Sequence, residues 1–504
     1  MTAAMAAPVR PAPVRWVRSA PLSFLLLLRM ELRRNPLPLI LPLIAALFWF
    51  DSYRPSTAQQ PFWMMRTFWN MGQGDTIIDF GPIVAGMAAW IGSRDGRRGT
   101  ADLATTMVRP RWTAHLATWA ATVIWAVLAY LVFVGVVFGV YAHQGVQGQP
   151  PWWWVAVGAT AVTAFSAAGF AVGVLWPNRY AAPLAAFGGF LAMMLSSQTG
   201  FRSHTGWALI LPTNSNGNYT QQDTGIFYPY LPDLPIARII FLAGILAAFL
   251  GLLGLPVRAG GPRLRAAAAV ITAVGLAAVG TAVGLVHTAQ LSPRGTVIPA
   301  LHDAANDRPI AYTPVCSLSA QMLVCLNPAY GRYLSDVTAA LAPVLAEVAD
   351  LPGAPVRGTQ IADDTAPTLT ISGSPPVLAI PLGANPNLPG SSGFGYSTTV
   401  KHFTDIMREQ FLHAFVTTAG VPETPAQQAV EAALLQRAGI PFADQPKLEA
   451  IAEPGPAPEK ATATGPVYDA AQRLSALPTA AQQDWLTAHV ADVRSGALTL
   501  AQMP

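Results

Sequence analysis

Four side chains in the last third of the chain, His402, Asp405, Glu409 and His413, have the types that bind metal ions or exchange protons. They are spaced at offsets of three, seven and eleven residues from the first. At about 3.6 residues per turn these offsets fall on one stripe of a helix, an arrangement that lets imidazole and carboxylate groups converge on one ion. A plainer reading competes with it. Phe403, Met407, Phe411 and Ala414 form an apolar face opposite the stripe. The expectation is therefore the solvated side of an amphipathic helix, with no metal and no cofactor.

Other catalytic chemistry finds no motif. A phosphate-binding loop needs Gly-Lys followed by Ser or Thr, and no Gly-Lys pair occurs in the 504 residues. Neither HExxH nor GxSxG occurs. The chain is expected not to be an enzyme, and any ATP hydrolysis is expected on a partner subunit. Dense charge gathers instead between Gly92 and Arg111, as Arg94, Asp95, Arg97 and Arg98, followed by Gly99, Thr100, Leu103 and Arg109-Pro110-Arg111. A short charged loop with a Gly-Thr helix start and a proline stop suits docking on another protein. An ordinary basic loop beside a membrane is the alternative.

The elements that must position these residues are mostly apolar. Hydrophobic residues make up 52% of the chain and charged ones 11%, against about a quarter charged in soluble domains. Seven apolar stretches lie near Leu37–Tyr53, Ile77–Gly92, Thr113–Tyr141, Trp152–Leu175, Ala181–Gln198, Ile236–Leu255 and Ala266–His287. A bilayer core of ~30 Å takes about 20 helical residues, so the first two are the shortest candidates, as two spans or a re-entrant pair. Gly158, Gly169, Gly173, Gly188 and Gly189 permit close helix approach. Fifteen arginines fall in the segments on one side, from Arg10 to Arg265, against Arg54, Arg66, Arg202 and Arg238 on the other. Positive residues stay inside, which places the N-terminus and the 92–111 loop in the cytoplasm and everything after His287 outside. The net charge of +4 then faces anionic lipid headgroups rather than nucleic acid. The expected location is a bacterial plasma membrane.

Residues 1–22 are expected to be disordered; Arg10, Arg15 and Arg18 resemble a signal peptide, but no small-residue cleavage site follows. Residues 23–35 read as an interfacial amphipathic helix with arginines at its C-terminal end. Residues 36–288 form the membrane domain, with a polar loop at Thr199–Pro235. Residues 289–504 form a mixed α/β extracytoplasmic domain. Its expected elements are a hairpin of Ala311–Cys316 and Met322–Leu326, a helix over Ala329–Asp350, and strands Pro367–Ile371 and Val377–Pro381. Helices follow over Val400–Thr418, Pro425–Arg437 (with Thr424 as N-cap), Tyr468–Leu474 and Ala480–Arg494, with a linker at Glu453–Gly465. Cys316 and Cys325 fall outside, where disulfides persist, so they are expected to form one bridge.

An interfacial helix with an Arg-rich end, then a span pair joined to a third span by Asp95, Arg97, Arg98, Gly99, Thr100, Leu103 and Pro110, resembles ABC transporter permeases of the type-2 export class, with actinobacterial-like features. The resemblance covers about residues 21–291. It implies that this loop, with Arg94, is the coupling element resting on a separate nucleotide-binding ATPase, and that the permease dimerises with itself or a relative. Two departures stand out: the family core has six spans, and it lacks a C-terminal domain of this size. The expected function is ATP-driven export of a lipophilic or amphiphilic substrate. The alternative is a membrane-anchored extracytoplasmic enzyme or sensor that uses the spans as scaffold.

Overall fold

In the computed structural model, residues 20–39, 42, 80–99, 111–143, 145–202, 209–211, 225–255, 261–292, 294–362, 368–382, 392–393, 396–397, 400–418, 422–445 and 465–504 are described. Helix α1 (Ala20–Arg34) carries Arg33 and Arg34 in its last turn, where the helix dipole favours them. Asn35 then turns the chain. Its Oδ1 accepts from Leu37 N at 2.9 Å, and its Nδ2 donates to Thr122 Oγ1 at 3.2 Å. Most of the first expected span, Leu37–Tyr53, lies outside the described residues.

The apolar bundle contains α2 (Gly81–Gly92), a single-turn α3 (Arg94–Arg97), α4 (Arg111–His143), α5 (Trp152–Leu175), α6 (Ala181–Arg202), α7 (Asp233–Leu252) and α8 (Gly261–His287). Four of these, α4, α5, α7 and α8, are long and apolar enough to cross a membrane. The expected second span takes a shorter form. Helix α2 has 12 residues, roughly 18 Å of rise, well short of a ~30 Å core. Helix α6 begins with the apolar stretch Ala181–Leu195. That helix also continues through Arg202, into the segment expected to be a polar loop.

Small residues decide which helices touch. A Cβ on Gly169 or Gly173 of α5 would collide with the backbone of Ala85 or Ala89 of α2. On the other side of the bundle, a Cβ on Gly244 of α7 would lie 2.7 Å from Gly275 O of α8. Small residues at such positions let two apolar helices approach to backbone contact, which gains van der Waals packing. At Gly188, also expected to be a contact glycine, an added Cβ would meet nothing within 4 Å among the described residues.

The sheet-containing region begins directly after α8 with a short hairpin, β1 (Gln290–Ser292) and β2 (Gly295–Val297). Its main sheet has five strands in the order β3-β4-β5-β7-β6: β3 (Val315–Ser319), β4 (Met322–Leu326), β5 (Arg357–Ile361), β6 (Thr370–Ser372) and β7 (Val377–Pro381). The two outer pairs are antiparallel, and the inner pairs β4–β5 and β5–β7 are parallel. Helix α9 (Leu334–Val348) makes the crossover that a parallel β4–β5 pair requires. Its Val337, Leu341, Val344, Leu345 and Val348 lie in the core. Helices α10 (Val400–Val416), α11 (Pro425–Arg437), α12 (Pro466–Ala476) and α13 (Thr479–Ser495) complete the same core. Cys316 and Cys325 face each other across β3–β4 and are disulfide-bonded, with Cα atoms 4.1 Å apart. Apart from Gly465, the expected linker Glu453–Gly465 lies outside the described residues.

Candidate functional site

The charged segment after α2 is held in place from three directions. Arg94 grips Glu31 of α1 with two hydrogen bonds, at 3.1 and 3.3 Å, and Glu31 is buried. Arg97 folds back along α2: its guanidinium stacks 3.6 Å above the Trp90 ring and donates to Trp90 O at 2.9 Å and Ser93 Oγ at 3.1 Å. Gly96 presses against Pro177 in the α5–α6 turn, where a Cβ would collide with the ring. Gly99 has φ +66°, a left-handed conformation that glycine adopts without strain. Asp95 and Arg98 are exposed. Thr100, Leu103 and Pro110 lie outside the described residues. Thus Arg94 and Arg97 position the segment, and Asp95 and Arg98 are its outward charges.

A second anchor of α1 comes from Trp125 of α4, whose Nε1 donates to Leu32 O at 3.0 Å. Helix α1, the charged turn and the long α4 therefore form one connected unit. Chain direction puts Arg94, Arg111 and the start of α8 at the end of the bundle opposite His287, from which the sheet region hangs.

That far end has its own polar junction. Asp233 opens α7 fully buried; its Oδ2 accepts from Ile298 N at 2.9 Å and lies 3.1 Å from His302 Nδ1. His302 Nε2 lies 3.1 Å from Asp307 Oδ2, and Asp307 also pairs with Arg294. Asp307 first, then Asp233, hold the His302 pKa above its ordinary value. Phe227, expected in a loop of the membrane domain, belongs to the core of the sheet region and meets Tyr312 edge-to-face at 5.6 Å. Arg238, counted in the sequence as an outer-loop residue, sits inside α7 and is fully buried. Its Nε and Nη2 donate to Leu209 O at 3.0 and 2.8 Å. Arg238 already lay within the expected apolar stretch Ile236–Leu255, and the structure places it in the second turn of α7.

The His402–His413 stripe is not a solvated face. Glu409 is only 2% exposed, because α10 is central and covered on nearly every side. Its neighbours Ile406, Gln410 and Leu412 are buried along with the apolar face of Phe403, Met407 and Phe411. Asp405 is half-buried and pairs with Lys401 at 3.8 Å; the His402 side chain lies outside the described residues. His413 turns toward two carboxylates that the sequence reading missed. Its Nδ1 is 3.2 Å from Glu431 Oε2 of α11 and 3.8 Å from Glu423 Oε1 in the connection between the helices. One donor atom from each of the three lies within 4.8 Å of the others. Burial pushes the Glu431 carboxyl up to about 7 and that of Glu409 up to about 8, with Glu431 and Asp405 adding to the rise at Glu409. The bond to Glu431 raises His413 in turn.

A capping box fixes this hairpin. Thr424 Oγ1 accepts from Gln427 N, and Gln427 Oε1 accepts from Thr424 N at 2.8 Å. The Gln427 amide then donates to Val416 O at 3.0 Å and Val493 O at 2.9 Å. The Thr424–Pro425 start was readable in the sequence; the partnership of Glu423 and Glu431 with His413, across a helix connection, was not. Comparison with protein-family models, with curated proteins and with solved structures finds no match.

Proposed function

We propose that the chain is the membrane-spanning permease subunit of an ATP-binding-cassette transporter, exporting a lipophilic or amphiphilic substrate and driven by a separate ATPase. The observation that carries this reading is the seating of the charged turn, with Arg94 locked to Glu31 of α1 and Gly96 against Pro177. A push on Asp95 and Arg98 reaches α1, α2 and the α5–α6 turn together rather than being lost in a floppy loop. In this reading the N-terminus and the charged turn are cytoplasmic, and residues 289–504 are outside a bacterial plasma membrane. Exposed Ile124, Leu128, Leu131 and Val132 of α4 and Val270 and Val274 of α8 face lipid or a second permease copy. Coupling is a population shift between inward and outward states, biased by the ATPase.

The test is association. A P-loop ATPase encoded beside this gene co-purifies with the chain, and Arg98→Glu weakens that association at least tenfold, because opposed charges steer and register partners. Arg308→Glu, an exposed reversal at the other end of the molecule, leaves it intact. Equal behaviour of the two variants overturns the proposal. The reading as a membrane-anchored enzyme or sensor is favoured by one observation, the His413–Glu423–Glu431 cluster. It requires no ATPase partner, so the same experiment separates the two.

A further inference from the structure

We propose that His413, Glu423 and Glu431, with Glu409 one turn away on α10, form a binding site for a divalent transition-metal ion, with zinc the ion expected, and that the ion ties α10 to α11. The donor set is one imidazole nitrogen and carboxylate oxygens, which favours zinc and its neighbours over the all-oxygen sites of magnesium and calcium. For bonds of about 2.0–2.1 Å, tetrahedral ligands stand roughly 3.3 Å apart. The separations of 3.2 Å and 3.8 Å from His413 Nδ1 need only small side-chain adjustments to match.

Glu409 is the second, independent indication. It is 98% buried by its 2% exposure, and neither of its carboxylate oxygens has a hydrogen-bond partner among the described residues. A buried carboxylate in that condition holds a proton or faces a cation. Among the described residues no Lys or Arg pairs with Glu409: Arg408, the adjacent basic residue, donates instead to Ala340 O and Ala438 O. Glu409 and His413 are four residues apart, the spacing by which a helix presents two ligands to one ion. Three glutamates against one histidine leave an excess of negative charge that a divalent ion offsets. The hairpin is preorganised by the Thr424–Gln427 capping box, and donor atoms of His413, Glu423 and Glu431 already lie within 4.8 Å of one another.

Protons compete for the same atoms. The groups facing the site are Glu409 and His413 with Asp405 on α10, Glu423 in the connection and Glu431 on α11. Metal affinity therefore falls as pH drops, because the ligand carboxylates and imidazole must be free of protons to bind the ion.

The full chain is purified in detergent, its affinity tag removed, stripped with chelator and titrated with ZnCl2 at pH 7.5. One equivalent of zinc binds and raises the thermal transition. His413→Ala and Glu431→Gln each weaken binding by at least about 10–100-fold, the loss already seen when outer-shell partners of metal ligands are removed. Glu409→Gln guards against misfolding: its metal-free form remains folded while its zinc affinity falls. Absence of stoichiometric zinc in the wild-type chain overturns the proposal. So does binding that survives unchanged in His413→Ala and Glu431→Gln. The permease proposal stands or falls separately, on the ATPase association.

Discussion

Replacing Glu409 by glutamine tests the burial argument quantitatively. The folded carboxyl has its pKa raised from 4.5 to about 8, chiefly by desolvation and then by Glu431 and Asp405. For an acid raised on folding, the folded state binds its proton more tightly. Stability is then lost as pH climbs from the unfolded value to the folded one, and levels off above it. At about 1.36 kcal/mol per unit, the loss from this one group is about 1 kcal/mol at pH 5.5. It grows to about 3 kcal/mol at pH 7 and about 5 kcal/mol above pH 8. Glutamine keeps the shape and does not titrate. In the presence of chelator, Glu409→Gln is therefore more stable than wild type, and the gap widens with pH. At roughly 2–4 °C per kcal/mol for a region of this size, the transition rises by roughly 6–12 °C at pH 7. The readout is thermal unfolding in detergent at pH 5.5, 7 and 8.5, with hydrogen exchange across α10 assigning the transition to this region. A gap that does not change with pH, or a variant less stable at every pH, refutes the reasoning. It would mean that Glu409 has a compensating partner.

Three further outcomes follow from the geometry. Gly173→Val, which drives a side chain into the Ala89 backbone, separates α2 from α5 and lowers the yield of folded protein; Gly135→Val, at a position with nothing within 4 Å, does not. Non-reducing mass spectrometry finds Cys316 and Cys325 bridged, and reducing this short loop lowers stability by roughly 2–3 kcal/mol in the chain-entropy model. His302, its pKa raised by Asp307 and Asp233, contributes stability that is full below about pH 6.5 and is lost as pH rises through the folded value. The protection factors of amides around Ile298, taken relative to the intrinsic base-catalysed exchange rate, therefore fall across that range in wild type and stay level in His302→Gln.

Local signals carried much of the fold. Thr424 before Pro425 marks the start of α11, and the structure begins that helix at Pro425. The two short runs that carry the cysteines form the β3–β4 hairpin, although residues 311–314 stay outside it, the first strand starting at Val315. Gly169 and Gly173 were recognisable as contact glycines, but Gly188, in a similarly small-residue helix, was not distinguishable from them. Sequence period describes one helix at a time, and that is where it fails. The polar stripe of α10 looks solvated until α11 and the Glu423 connection close over it. Likewise Phe227 looks like a loop residue until the sheet region provides its core. Of the charged turn, its residue types were legible but its seating was not, since Glu31 and Arg94 lie 63 positions apart.

The permease proposal is tested most directly at Arg98. Both native cysteines are consumed by their disulfide, so Arg98→Cys provides a single reactive thiol at an exposed position on the charged turn. In native membranes, a short thiol-to-amine cross-linker at this position is expected to capture the partner ATPase, while impermeant reagents added to intact cells leave the thiol unlabelled. Labelling from outside the cell, or a protected thiol that never cross-links to an ATPase, contradicts the account.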